Sequence, residues 1–279
     1  MKKSLLVPVA SIVGLLSVLA SVSARQVHAQ GNTSNDAVSP IVFQAAGPTG
    51  ASIQSAVDEF RAALGDPNNA SNPGPIATGR REINWDGGST TNNATTLGGN
   101  PFAGFLVTRG ALFTTPGTGF VQAPPSGLGT TFGNPTYENI FQPFSPLRLF
   151  SPIGSNITEV DFFVPGGGNV AATTNGFGAV FADVDEPDGS GPGKKRGNRG
   201  ASTLIEYFGV HHELLFSSFV PASPGDGSLS FFGIVFDDAR IARVRITSGD
   251  IAPERNDDKK HDIVVMDDFI YGEPQAVVP

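Results

Sequence analysis

Along most of this chain apolar residues recur at a period of two. Val160, Phe162 and Val164 fall on one side of a run whose other positions include Glu159 and Asp161, and Ala242, Val244 and Ile246 alternate with Arg243 and Arg245. Successive side chains of an extended strand point to opposite faces, so each such segment predicts a strand with one buried side. Further runs bounded by Gly, Pro or Asn predict strands at 111–115, 119–122, 147–150, 157–164, 176–183, 202–208, 213–220, 228–236, 239–248 and 262–271. The helical period is clear in one place, 52–64, where Ile53, Val57, Phe60 and Leu64 recur at spacings of four, three and four. Thr49 or Ser52 can cap that helix and Gly65 can end it. The elements predict an all-β fold: a two-sheet antiparallel β-sandwich of jelly-roll type, with one N-terminal helix docked by its apolar stripe.

The organisation expected from this pattern has three parts. Residues 1–29 read as a secretory signal peptide, with Lys2 and Lys3 ahead of an apolar run interrupted by Pro8, Ser11, Gly14 and Ser17. Cleavage is expected after Ala24 or after Ala29, the second leaving a polar start. Residues 30–75 form a polar extension carrying the helix, and 76–279 the sandwich. Trp85, the single tryptophan, is expected in the core at the start of the first strand. The segment 189–200, rich in Gly, Pro and basic residues, reads as an insertion between strands.

Composition narrows the classes of partner. The net charge is −8, and loss of Lys2, Lys3 and Arg25 with the leader would make it more negative, which speaks against nucleic acid as a ligand. The basic cluster 194–199 reads as a solvated loop tip. The absence of cysteine removes thiolate metal sites and thiol nucleophiles, and in an exported chain it points to a core large enough to stand without disulfides. With 35 Gly, 22 Pro and 21 Phe, many turns between short aromatic-rich strands are expected.

Candidate chemistry rests on carboxylates at strand ends. Asp183, Asp185 and Asp188 alternate before a glycine, as in loops that wrap oxygen atoms around Ca²⁺, but the spacing excludes an EF-hand because Lys194 stands where the closing glutamate belongs. Asp267 and Asp268 lie inside an apolar run, where alternation sends one carboxylate to each face. The inward one then needs a cation, an arginine such as Arg243 or Arg245, or backbone amides. These five aspartates are the candidate metal ligands, with calcium the expected ion. Asp183, Asp185 and Glu186 also crudely match the acidic strand motif of concanavalin-like glycoside hydrolases, although an aspartate stands where that motif has a glutamate. No Gly-x-Ser-x-Gly elbow and no phosphate-binding glycine loop is present, and His211-His-Glu213 reads as a hairpin turn.

The segments 176–185, 216–225, 232–237 and 266–272 resemble a recurrent pattern of uncharacterised secreted bacterial proteins. The closing Met266-Asp-Asp-Phe-Ile-Tyr-Gly272 is similar to the last strand of galactose-binding-like and carbohydrate-binding jelly rolls. The resemblance covers about a third of the chain and implies a fold more than a function. The resulting expectation is a secreted, non-catalytic sandwich that binds an extracellular glycan with structural calcium, released to the medium or periplasm without a membrane anchor. An extracellular structural or matrix protein and a glycan-cleaving enzyme are the alternatives.

Overall fold

Runs that are apolar at every position and runs that alternate build different layers of this protein. The computed structural model describes residues 38–87, 94–185, 203–255 and 261–277, so Asp188, the signal segment and the basic cluster lie outside the described residues. In chain order the elements are β1 (Ile41–Gly47), α1 (Gly50–Leu64), β2 (Arg80–Ile83), β3 (Thr95–Leu97), α2 (Leu106–Arg109), β4 (Ala111–Thr114), β5 (Gly119–Ala123), α3 (Pro125–Phe132), α4 (Tyr137–Ile140), β6 (Leu149–Ile153), β7 (Ile157–Phe162), β8 (Ala172–Thr173), β9 (Gly176–Ala182), β10 (Leu204–Phe208), β11 (Leu214–Phe219), β12 (Leu229–Val235), β13 (Arg243–Thr247), β14 (Val265–Gly272) and β15 (Gln275–Ala276).

An eight-stranded antiparallel sheet runs β1-β12-β9-β14-β6-β5-β3, with β2 also paired to β14. A five-stranded sheet, β11-β10-β13-β7-β4, stacks on it. Between them lies a core that includes Phe113, Phe150, Phe177, Tyr207, Phe232, Val244, Ile246 and Phe269. The other face of the larger sheet meets α1, α3 and α4 through a second core, with Ile53, Val57, Phe60, Leu128, Tyr137, Val180, Phe231 and Ile270. The larger sheet is therefore covered on both faces. Its strands β9, β12 and β14 are buried at every residue and read as unbroken apolar runs, whereas β7, β10 and β13 keep one face in water and alternate.

The sandwich and its helix are legible in the sequence; β1, β2, β3, β8, β15 and the short helices α2, α3 and α4 are not. β1 begins at Ile41 and pairs along its whole length with β12, so the chain ahead of the helix is part of the larger sheet. Helix α1 buries Ile53, Ala56, Val57, Phe60 and Leu64, and Gly65 ends it at a positive φ of 96°. Gly178 and Gly233, opposite each other on β9 and β12, make the seat for Phe60. A Cβ at either glycine would come within 2.9 Å of the Phe60 ring. That ring packs against Phe43 and Phe231 at centroid distances of 5.6 and 5.4 Å.

Trp85 takes a positive φ of 59° and stacks on Phe150 at 3.8 Å inside the inter-sheet core. It lies two residues past the end of β2 and does not start a strand, and within β2 Arg81 is wholly buried. Its guanidinium meets both oxygens of the buried Glu273 at 2.5 and 2.6 Å and donates to the carbonyls of Ala70, Asn72 and Thr108. One cation thereby ties together the connector after α1, the short helix α2 and the residue that follows β14.

Candidate functional site

The aspartates singled out in the sequence fall in two places. Ala182 pairs with Val265 and Phe181 with Met266, so Asp183 lies past the paired end of β9 while Asp267 and Asp268 lie within β14. Three residue steps, on the order of 10 Å at ~3.3 Å per residue, separate the two groups along the strand.

At Asp267 and Asp268 the strand does not alternate. Met266 pairs with Phe181 and Phe269 with Ala179, so two residues stand opposite Val180 alone, a β-bulge. Here too β14 exchanges one neighbour for another, with Met266 paired to Phe150 of β6 and Phe269 to Ile83 of β2. The extra residue lets Met266 and Phe269 both enter the inter-sheet core, and turns both carboxylates toward the side of α1 and the 144–145 loop. The expectation of one carboxylate on each face does not hold.

The backbone amides, the hydroxyl and the guanidinium that reach the pair are all proton donors, while the carboxylates of Asp86 and Glu82 act on it only through their charge. Asp267 Oδ2 accepts from the Phe144 and Ser145 amides at 2.6 and 3.1 Å. The Ser145 hydroxyl lies 2.6 Å from Asp268 Oδ1 and 3.3 Å from Asp267 Oδ1. Arg61 of α1 reaches Asp268 Oδ2 at 3.4 Å and Glu82 at 2.9 Å, and Glu82 is also held by Arg80. The arginine partner is thus Arg61, not Arg243 or Arg245, and the backbone amides foreseen as an alternative are present. Burial, then the neighbouring Asp268 charge, holds the Asp267 carboxyl well above the ordinary range against the pull of the two amides. Burial raises Asp268 too, opposed by Ser145 and Arg61. One hydroxyl proton cannot serve both carboxylates, and a proton on Asp267 completes the set. This arrangement supplies by hydrogen bonding what a cation would otherwise supply.

At the other place Asp183, 7% exposed, ends β9 with φ +70°. The Asp185 carboxylate accepts from the Gly225 amide at 2.9 Å, and its own amide reaches Asp262 Oδ1 at 3.3 Å. Asp250 accepts from the Asp262 amide at 2.9 Å. Asp250 and Asp262 were not singled out in the sequence because nothing in their spacing links them to Asp185; the approach of two loops does. Among the described residues no three His, Asp or Glu side chains are grouped as a metal site.

A third region emerges only from strand register. The outward residues of the five-stranded sheet form rows across it: Leu204, Thr247 and Ile157; Glu206, Arg245, Glu159 and Thr114; Phe208, Arg243, Asp161 and Leu112. Each is half-buried, while the residues between them in the same strands are buried. The charges pair across strands, Arg243 with Asp161 at 2.7 Å and Arg245 with Glu159 at 2.5 Å. Arg245 also lies 5.9 Å from the centre of the Phe208 ring. The sequence placed Arg243 and Arg245 outward; it did not bring Asp161, Glu159, Glu206 and Phe208 beside them.

Comparison with protein-family models, curated proteins and solved structures gives no match.

Proposed function

We propose that this chain is an exported, non-catalytic β-sandwich protein that binds an extended extracellular glycan across the open face of its five-stranded sheet. The observation that carries this reading is the pair of polar rows on that face. Arg243 with Asp161 and Arg245 with Glu159 set donors and acceptors side by side at half-exposed positions, and Phe208 lies within the same row as the first pair. Neighbouring sugar hydroxyls need donors and acceptors at such spacing, and the apolar face of a pyranose ring packs on an aromatic ring. The alternating charges across the face favour a neutral ligand over a polyanion. By contrast the Asp267/Asp268 pair, almost wholly buried and supplied with donors, is an anchor for the 144–145 loop.

A glycan array probed with the chain and with its Arg245→Ala and Phe208→Ala variants tests the reading. Binding of neutral glycans that weakens at least tenfold in both variants supports it. Binding untouched by either variant moves the site elsewhere, and no binding anywhere on the array leaves the structural or matrix role as the better account. Release of sugar from the bound glycans would revive the enzymatic alternative.

A further inference from the structure

We propose that β11 is a self-association edge, at which a second copy of this chain adds its own β11 in antiparallel register centred on Ser217. β11 is the last strand of the five-stranded sheet and has a partner, β10, on one side only. The Val220 amide donates to Thr203 O at 2.9 Å, which sets the phase of the ladder. In an antiparallel pair bonded and non-bonded positions alternate, so Ser218 and Phe216 exchange bonds with Ile205 and Tyr207, and the backbone groups of Ser217 and Phe219 are directed away from β10. Among the described residues those outward groups meet no other backbone; the Phe219 carbonyl has only the Ser218 hydroxyl, at 3.1 Å.

Native edges are guarded by charge, proline, a covering segment or shortness. The opposite edge of this sheet, β4, is bridged through Phe113 by Phe102, and β3 of the larger sheet is three residues long. β1, the remaining long edge, leads straight from residues that are not described. β11 reads Leu-Leu-Phe-Ser-Ser-Phe, without a charge or a proline. Its bulge lies at the Leu214 end and leaves 216–219 regular. Leu214 is 54% exposed, and Leu215, Phe216 and Phe219 are half-exposed.

The occupant that matches is a second copy. A two-fold axis at Ser217 sets an outward-directed residue against its own counterpart, so the unmet donors and acceptors of one strand face those of the other. Phe216 then lies opposite Ser218, large against small on one face, and no like charges meet. Ser217 on the axis has a side chain short enough for the strands to close. A partner of opposite charge is disfavoured because the edge has no charge for it to read. One six-residue strand gives an interface at the small end of the range, under about 1,200 Å² in total, so the association is weak and depends on concentration.

The absence of native cysteine gives a direct test. In the proposed register the two Ser217 Cα atoms lie about 5.5 Å apart, within the roughly 4.4–6.8 Å that a disulfide spans. The two Ser218 residues are diagonal neighbours, at about 7–8 Å and beyond that reach. Full-length Ser217→Cys, oxidised at high protein concentration, should form a covalent dimer at least fivefold faster than Ser218→Cys. Sedimentation of the unsubstituted chain should show a dimer growing with concentration, and Ser217→Lys should remove it without changing the melting curve. Equal cross-linking at both positions, a dimer that survives Ser217→Lys, or a monomer up to near-millimolar concentration would overturn the proposal; the last would leave the edge to a foreign extended peptide.

Discussion

Replacing Asp267 by asparagine and by alanine separates two consequences of its environment: the acceptor it provides and the proton it holds. Asparagine keeps an oxygen for the Phe144 and Ser145 amides and brings an NH₂ that can donate to Ser145 or Asp268. Alanine leaves both amides unmet, while the Ser145 hydroxyl keeps Asp268. Each buried polar group without a partner costs about 1–3 kcal/mol, and water can reach part of the half-exposed 144–145 loop, so Asp267→Ala should lose about 2–4 kcal/mol. Asp267→Asn should match the wild type at neutral pH or exceed it, because it removes a buried carboxyl and a like-charge neighbour.

The pH dependence has a definite sign. Unfolded, the carboxyl titrates near pH ~4, whereas burial raises its value in the folded protein, so between the two the folded state holds the extra proton. Its contribution to stability is complete below the unfolded value and is lost as pH rises through the folded one, by at most about 1.4 kcal/mol per pH unit for one proton. Urea denaturation at a series of pH values from mildly acid to neutral reads this directly. Asp267→Asn should differ from the wild type by a curve that climbs with pH. If the two variants lose stability equally, or if wild type and Asp267→Asn follow parallel curves, the reasoning about the shared proton fails.

Gly233→Ala should destabilise by about 1–3 kcal/mol through overpacking beneath Phe60, and combining it with Phe60→Leu should recover part of the loss in thermal melts. Arg81→Met strands the buried Glu273 and should cost about 3–5 kcal/mol; in a double-mutant cycle Arg81→Met with Glu273→Gln should cost less than the sum of the two. Because the Asp267/Asp268 pair is supplied by protein donors, millimolar Ca²⁺ or a chelator should leave the melting difference between wild type and Asp267→Asn unchanged. A difference that appears only with Ca²⁺ would place an ion at the pair.

Strands whose other face meets water announced themselves, since Val244 and Ile246 must be apolar and Arg243 and Arg245 must not. The apolar runs of β9, β12 and β14 were equally legible, though for the opposite reason, burial on both sides. β1 was missed because Ile41-Val-Phe-Gln-Ala-Ala shows neither pattern cleanly, and its placement depends on β12, almost two hundred residues away. The Asp267/Asp268 environment was half legible. A carboxylate pair within an apolar run demands partners, but the bulge that turns both to one side reflects how two strands share the β14 edge, and Arg61, Phe144 and Ser145 carry no local signature. The rows on the open face were hidden for the same reason, because pairing register is a property of strand pairs and not of any one segment.

The most direct test of the functional account is an amide chemical-shift map of the isotope-labelled chain, titrated with a neutral oligosaccharide that the array selects. The account predicts perturbations concentrated on Glu206, Phe208, Arg243, Arg245, Glu159 and Asp161, fading toward the inward positions of the same strands. Perturbations gathered instead around Asp183, Asp185 and Asp262, or around the 144–145 loop, would contradict it.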